Sequence, residues 1–341
     1  MAIKTRKPTG AVPWPLILLE GGEKAGKSWS AAEFSASEKV GQTYWIDLNE
    51  GAADEYGAIP GTRYLVVEHN GTWADIVAQV AEIRQEACRA ADAGEPPVVL
   101  VIDSMTAEWD LLKDWVTNRA KGSPANQKRL AADPSAEVKA PMNLWNDATA
   151  RHRRLMTMLM TFPGIVVMTA RGKEVASMDA SGRPIEGSKE YKVEGHKTLG
   201  YDASVWVRLS REHPPIVVSA RSVHVGIRPG VDRPVPAPNF TLEWLVFDVL
   251  KCDPTVARVR DLTEIKPGSE SPDLDTLSDA AKQLLSEAED AANVEALRLV
   301  WTAINPLLKS GEIVTAEAEF VNQRIQHLSQ QMTAESNGAA A

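Results

Sequence analysis

The sequence predicts an α/β protein with a mainly parallel sheet covered on both faces, followed by a small C-terminal helical module. Three observations carry that prediction. Continuous apolar runs at Leu16–Leu19, Val98–Ile102 and Gly164–Thr169 have the length and uniform hydrophobicity of strands buried on both sides. Segments with helical periodicity separate them, as parallel pairing requires, because a parallel neighbour is reached only through a long crossover. Beyond Gly268 the apolar residues recur at helical spacing, without a further strand-like run.

Taken in order, residues 1–13 read as a flexible basic arm and residues 14–250 as the core. Leu16–Leu19 ends at glycines, as a buried strand would, and a helix over Lys27–Lys39 follows. Thr43–Leu48 and Arg63–Val67 are strands, and Trp73–Ala91 is an amphipathic helix. Gly94 and the Pro96-Pro97 pair bound the strand Val98–Ile102. Leu144–Phe162 is helical, and Gly164–Thr169 is the fifth strand. Ala203–Leu209 and Ile216–Val225, separated by His213-Pro214-Pro215, predict an antiparallel hairpin at the sheet edge. Residues 229–240, with Pro229, Pro234, Pro236 and Pro238, form an extended connector before a last core helix at Thr241–Leu250. Residues 251–275, including GSESPDLD, are a linker. Residues 276–333 form the helical module, with Val294, Leu297, Val300, Ile304 and Leu307 on one face, Ile313, Phe320, Ile325 and Leu328 on another, and Asn293 as an N-cap. Residues 334–341 read as a disordered tail.

Composition limits the function classes. With 44% hydrophobic and 24% charged residues in 341, the chain is neither disordered nor collagen-like. No apolar run approaches the ~18 residues of a spanning helix, and the basic start MAIKTRKPTG lacks the apolar stretch of a secretory signal. Two cysteines, Cys88 and Cys252, cannot build a disulfide framework or a four-thiolate zinc site, so a reducing cytoplasm is expected. Six scattered histidines show no paired metal spacing. The net charge of −9 is unevenly spread. Residues 265–341 carry five Lys/Arg against twelve Asp/Glu, whereas residues 151–224 carry twelve against seven. A central basic stretch can contact phosphates despite an acidic total, because screening limits distant charges to ~10 Å.

The strongest motif is GGEKAGKS, Gly21 to Ser28, which lies between an apolar strand and a helix. Gly21, Gly22, Glu23, Lys24, Ala25, Gly26 and the following Lys27, Ser28 and Trp29 make a candidate phosphate cradle. Its backbone N–H groups wrap anionic oxygens, Lys27 reaches the outer phosphates, and the Ser28 hydroxyl ligates Mg²⁺. Asp103, ending the apolar strand in VVLVIDS, completes the metal shell through water.

Here the sequence resembles a family. VIDSM, from Val101, is similar to the Walker B segment of RecA-type recombinases. WIDLNEGAADEY, from Trp45, resembles the strand carrying that family's catalytic glutamate, which makes Glu50 the base that activates water. IVVMTAR, from Ile165, resembles the strand that senses the γ-phosphate, with Thr169 and Arg171 at its end. LGYDASVWVRLSR, from Leu199, resembles the strand after the family's DNA-binding loop. The resemblance covers about residues 14–228 and implies a RecA-type P-loop NTPase core. Size and helical tail look like phage-encoded RecA-like ATPases implicated in single-strand annealing and recombination. Three features depart from the family. Glu50 lies three residues after Asp47, which is the alternative base; Thr169 stands in place of a glutamine; and Ser219 and Ala220 stand where phage relatives often have a lysine.

The resemblance implies ATP and Mg²⁺ as cofactors, bound between copies in a ring or filament in the host cytoplasm. It also implies single-stranded DNA as partner, with a single-strand-binding protein as a possible further one. Arg221 is then either the residue that reaches a neighbour's phosphate or a solvated hairpin charge. Lys173, Arg183, Lys189, Lys192 and Lys197, with Tyr191 among them, lie in the stretch corresponding to the DNA loop; the same composition would serve a mobile surface loop. A second loop, Asn118–Lys139, with Arg119, Lys121, Lys128 and Arg129, is a weaker candidate. The cluster Arg151–Arg154 reads as a solvated helix face, as do Glu108 and Asp110. The expected function is a DNA-stimulated ATPase. An ATP-switched DNA scaffold with little turnover and a replicative-helicase-type motor are the alternatives.

Overall fold

The computed structural model describes residues 3, 5–179, 181–225, 234–253, 255, 257–260, 262, 277–291 and 293–338. The chain divides into two compact units, Met1–Leu262 and Thr263–Ala341. The first is an α/β unit whose strands are β1 (Leu16–Gly21), β2 (Thr43–Asp47), β3 (Tyr64–Val66), β4 (Val99–Asp103), β5 (Ile165–Met178), β6 (Pro184–Glu194), β7 (Val205–Leu209), β8 (Ile216–Ala220) and β9 (Val235–Pro236). Its helices are α1 (Lys27–Phe34), α2 (Ala53–Tyr56), α3 (Trp73–Asp92), α4 (Met105–Lys121), α5 (Pro124–Ala132), α6 (Met142–Met160) and α7 (Leu199–Asp202), with a π-helix at Trp244–Val249.

The nine strands form one sheet in the order β3-β2-β4-β5-β1-β7-β8-β9, with β6 paired to β5. From β3 to β7 the main path is parallel; β6, β8 and β9 join antiparallel. Strand alternation divides the apolar runs between two layers. Leu16, Leu18, Leu100, Ile102, Val166 and Met168 pack with Ile76, Val80 and Leu155 of α3 and α6. Ile17, Leu19, Val99, Val101, Ile165 and Val167 pack on the other face with Ala31 and Phe34 of α1 and Leu245 and Val246 of the π-helix. Both faces are covered, which explains why these strands read as unbroken apolar runs.

Several boundaries differ from expectation. Helix α1 stops at Phe34, where the Ser35 hydroxyl turns back to donate to Ala32 O (2.7 Å) and competes with further helical bonds. Strand β5 does not end at Thr169 but continues to Met178 and pairs with β6, so the presumed DNA loop is a β-hairpin. Its charged residues and glycines hid the strand pattern. The presumed loop 118–139 contains the end of α4 and all of α5, which starts at Pro124 under a Ser123 cap. The hairpin arm expected to reach Val225 ends at Ala220. Of the proline-rich connector, residues 229–233 lie outside the described residues, as does most of 251–275. Val12 accepts from Arg258 N (2.8 Å) and Arg258 from Trp14 N (3.0 Å), which ties the end of the basic arm to the core.

The second unit contains α8 (Asp279–Glu289), α9 (Val294–Ser310) and α10 (Thr315–Gly338) around Leu284, Leu297, Val300, Ile304, Val321 and Ile325. Asn293 caps α9 by accepting from Ala296 N (2.9 Å), and the Glu317 carboxylate accepts from Ser278 N (2.6 Å) and Val314 N (2.9 Å). Residues 334–338, expected to be disordered, continue α10, and 339–341 lie outside the described residues.

Candidate active site

Strand β1 ends where backbone approaches backbone. A Cβ at Gly21 would stand 2.3 Å from Leu209 O, and Gly26 has a φ of 96°, so both positions require glycine. The loop between them delivers Lys27 and Ser28 to the start of α1. Lys27 Nζ donates to Gly21 O (2.9 Å) and Gly22 O (2.8 Å), while Ser28 Oγ donates to Asp103 Oδ2 (2.7 Å). A cavity of about 970 Å³ opens here, lined by the whole Gly21–Trp29 loop and by Glu50, Tyr56, Asp103, Ser104 and Arg171.

Two strands contribute the acids. Asp103, 2% exposed, accepts from Ser28 and from the Thr169 hydroxyl. Burial raises its pKa above the usual carboxylate range, and these two hydrogen bonds oppose that shift. Burial likewise lowers the pKa of the Lys27 ammonium, against the pull of Asp103, Glu50 and Glu20. Glu50 Oε1 accepts from Ser104 Oγ (2.7 Å) and from Arg171 Nη2 (3.0 Å). Asp47, the alternative base, accepts instead from the backbone N–H groups of Glu50 (2.7 Å), Gly51 (3.1 Å) and Ala53 (3.4 Å). Its carboxylate therefore shapes the loop that presents Glu50.

The structure brings Lys27, Ser28, Asp103 and Glu50 together and leaves other predicted residues elsewhere. Thr169 is fully buried and bonded to Asp103; it does not line the cavity. Arg221 lies at the opposite end of the sheet, where its N donates to Ser204 O (2.7 Å) and its Nη2 to Tyr201 O (3.0 Å). Lys173 and Lys192 face each other across the β5–β6 hairpin, and Lys189 pairs with Ala176 further out. Lys173 forms an ion pair with Glu194 (2.9 Å), Arg183 follows the turn, and Lys197 lies exposed beyond the root.

Some residues carry more than sequence reading assigned them. Tyr56 lines the cavity with its ring edge-on to Trp29 at 5.8 Å; an aromatic six residues after Glu50 was the available signal. Thr106 accepts from Arg171 N (2.9 Å) and donates to Glu194 O, joining α4 to the hairpin root. Glu20, fully buried, accepts from Arg208 Nε (2.8 Å) and Trp206 Nε1 (3.2 Å), and a Cβ at Gly172 would stand 1.7 Å from its Oε1. Glu108 is not on a solvated face: it is 1% exposed and paired with the equally buried His152 at 2.9 Å. His152 likewise turns inward from the cluster Arg151–Arg154, and Arg151 stacks over Trp115 at 4.3 Å.

The donor set fits a nucleotide and a hard divalent cation. Lys27 and the loop N–H groups suit phosphate oxygens, and the Ser28 hydroxyl beside the Asp103 carboxylate offers the oxygen ligands that Mg²⁺ prefers. Among the described residues, no helix is long and apolar enough to cross a membrane.

Comparison with known proteins bears on the same elements. An ATPase from the type III secretion system of pathogenic bacteria is similar in structure at 16% identity, over 58% of this chain and 51% of that one, with a TM-score of 0.33. The chain thus spans about half the length of that structure. No curated protein matches. The AAA domain family matches residues 15–209, from just before β1 to the end of β7, which is more than half of the 341 residues. With its phosphate loop and acid-tipped β4 inside that span, the chain belongs to the AAA domain family, as an AAA-type P-loop ATPase.

Proposed function

We propose that this ATPase is a RecA-like protein of a bacteriophage that hydrolyses ATP with Mg²⁺ at interfaces between its copies and binds single-stranded DNA during annealing or recombination. The observation that carries the reading is the convergence of Lys27, the Ser28–Asp103 pair and Glu50 on one cavity. In this scheme Lys27 and the loop hold the phosphates, Ser28 and Asp103 hold the metal, and Glu50 takes a proton from the attacking water. Arg221, remote from its own chain's cavity, supplies charge to a neighbour's nucleotide. The basic residues of the β5–β6 hairpin, Lys173 and Lys192 opposed among them, support DNA binding as a source of phosphate contacts.

The test is ATP hydrolysis with and without single-stranded DNA, for wild type, Lys27→Ala and Glu50→Gln, at two salt concentrations. DNA stimulation that weakens with salt and disappears in both variants supports the reading. Five basic side chains can make at most five phosphate contacts, so the log–log salt slope of binding should be no steeper than about −3.5. Residues 171–197 also hold five acidic residues against six basic ones, which argues for a shallower slope still.

A second reading, an ATP-switched DNA scaffold, is favoured by one feature. Glu50 is held by Ser104 and Arg171, and the Thr169 hydroxyl is bonded to Asp103. That reading expects ATP-dependent assembly with turnover that DNA barely changes.

A further inference from the structure

We propose a second anion site, for a phosphate-bearing ligand, in which Arg221 and Arg260 converge on a cavity of about 570 Å³ at the N-terminal end of the sheet. Three segments distant in sequence frame it: residues 10–13 and 15, residues 204 and 220–224, and residues 250, 252 and 260. Backbone bonds hold the frame, from Arg258 N to Val12 O, from Trp14 N to Arg258 O and from Arg221 N to Ser204 O. Ser204 N in turn donates to Leu16 O, at the first residue of β1, whereas the phosphate loop follows Gly21 at its last. Five strand steps, roughly 17 Å, separate the two sites within one chain.

The cavity lining holds Arg221, Arg260 and His224 but no aspartate or glutamate among the described residues. Among the described residues Arg260 Nη1 is buried without a hydrogen-bond partner, and burial together with the Arg221 charge moves the Arg260 pKa below the ordinary arginine value. Among the described residues the Arg221 guanidinium donates from Nη2 alone, to Tyr201 O at 3.0 Å. A guanidinium offers five N–H donors, so both side chains keep capacity for a ligand. Two guanidinium charges match the −1.5 to −2 or so of a phosphomonoester better than the single charge of a carboxylate. Val12, Pro13, Ala220 and Leu250 supply an apolar wall for the body that carries the phosphate.

The phosphate belongs either to a small molecule or to the nucleotide held by a neighbouring copy; only the second source rests on the function proposed above. The experiment uses full-length Lys27→Ala protein, whose own phosphate loop is disabled, titrated calorimetrically with inorganic pyrophosphate. Saturable binding that weakens at least tenfold when Arg260→Gln or Arg221→Gln is added is expected. Binding at a crippled phosphate loop would not respond to either change. No binding to Lys27→Ala, or binding undiminished by both arginine substitutions, overturns the site. Arg221 is exposed, so its variant decides the matter if Arg260→Gln fails to fold. Mixing Lys27→Ala with Arg260→Gln subunits separates the sources. Regained ATP hydrolysis assigns the phosphate to a neighbour's nucleotide, and pyrophosphate binding without regain assigns it to a small molecule. If wild type proves inactive on ATP, the pyrophosphate titration still decides the site.

Discussion

At the C-terminal end of β1 the Lys27 ammonium lies within the field of Asp103, Glu50 and Glu20, whereas at the N-terminal end the partly buried Arg260 feels the like charge of Arg221. The first end holds more acid than base around the phosphate loop, so an anionic polyphosphate is accommodated there only with a cation that offsets the carboxylates. The second end needs no such cation, because its lining residues supply the positive charge themselves. One sheet thus carries two differently built anion environments, and the difference predicts which of them depends on Mg²⁺.

Removing Lys27 breaks the comparison most severely. Lys27→Ala should lower the rate of ATP hydrolysis at least ~100-fold, the scale on which a single transition-state contact acts. A steady-state phosphate-release assay reads this, and a residual rate above a tenth of wild type would contradict it. Glu50→Gln comes next, with a kcat loss of roughly 10²–10⁴ and nucleotide affinity changed little, because a base acts in the reaction and not in binding. Fluorescent-nucleotide titration beside kcat separates the two effects. A kcat near wild type would move the role of base away from Glu50.

The two ends also differ in how far the sequence revealed them. The phosphate loop, Asp103 and Glu50 were legible because each closes an apolar strand or follows one within a few residues, and the parallel register then aligns Asp47 with Asp103. Core strands were legible for the same reason, since burial on both faces leaves an unbroken apolar run. The β5–β6 hairpin was not, because charges and glycines interrupt its pattern and its pairing is decided by register. Arg260 had no signal at all, as its neighbours come from three separate stretches of chain. Glu108 and His152 were misread because their charges suggested solvent, whereas the two pair with each other inside the protein.

Between the ends, at the root of the hairpin, a smaller effect depends on pH. His196 is 6% exposed, its ring 4.3 Å from that of His152, and its pKa is pushed down to about 4, by burial first and then by the His152 charge. Lys197 and Arg153 add to that depression, and Asp202 opposes it. The unfolded chain binds the proton near pH 6.5 and the folded one only near 4. The stability associated with neutral His196 is therefore complete above ~6.5 and is lost as pH falls toward 4. Wild type should lose a few degrees more of melting temperature than His196→Gln between pH 7.5 and 4.5, on the order of 2–4 °C. Parallel melting curves for the two proteins would show that His196 does not titrate this way.

The smallest effect bears most directly on the contrast between the ends. Arg221→Gln removes a charge that disfavours Arg260 and gives up an exposed hydrogen bond to Tyr201 O. The melting temperature of the variant relative to wild type should therefore be highest at low salt, by ~1–2 °C, and this advantage should vanish near 1 M, where the Debye length is ~3 Å. Glu50→Gln should behave with the opposite sign. It removes an acid that attracts Lys27 and Arg171, so its disadvantage is largest at low salt. Differential scanning fluorimetry across a salt series without nucleotide measures both. Opposite slopes of these signs would establish that Arg221 stands among like charges and Glu50 among opposite ones. Reversed slopes, with Arg221→Gln at a disadvantage and Glu50→Gln at an advantage at low salt, would mean that the net charge of −9 and not local arrangement governs both ends, and the physical basis for a metal-independent anion site would be lost.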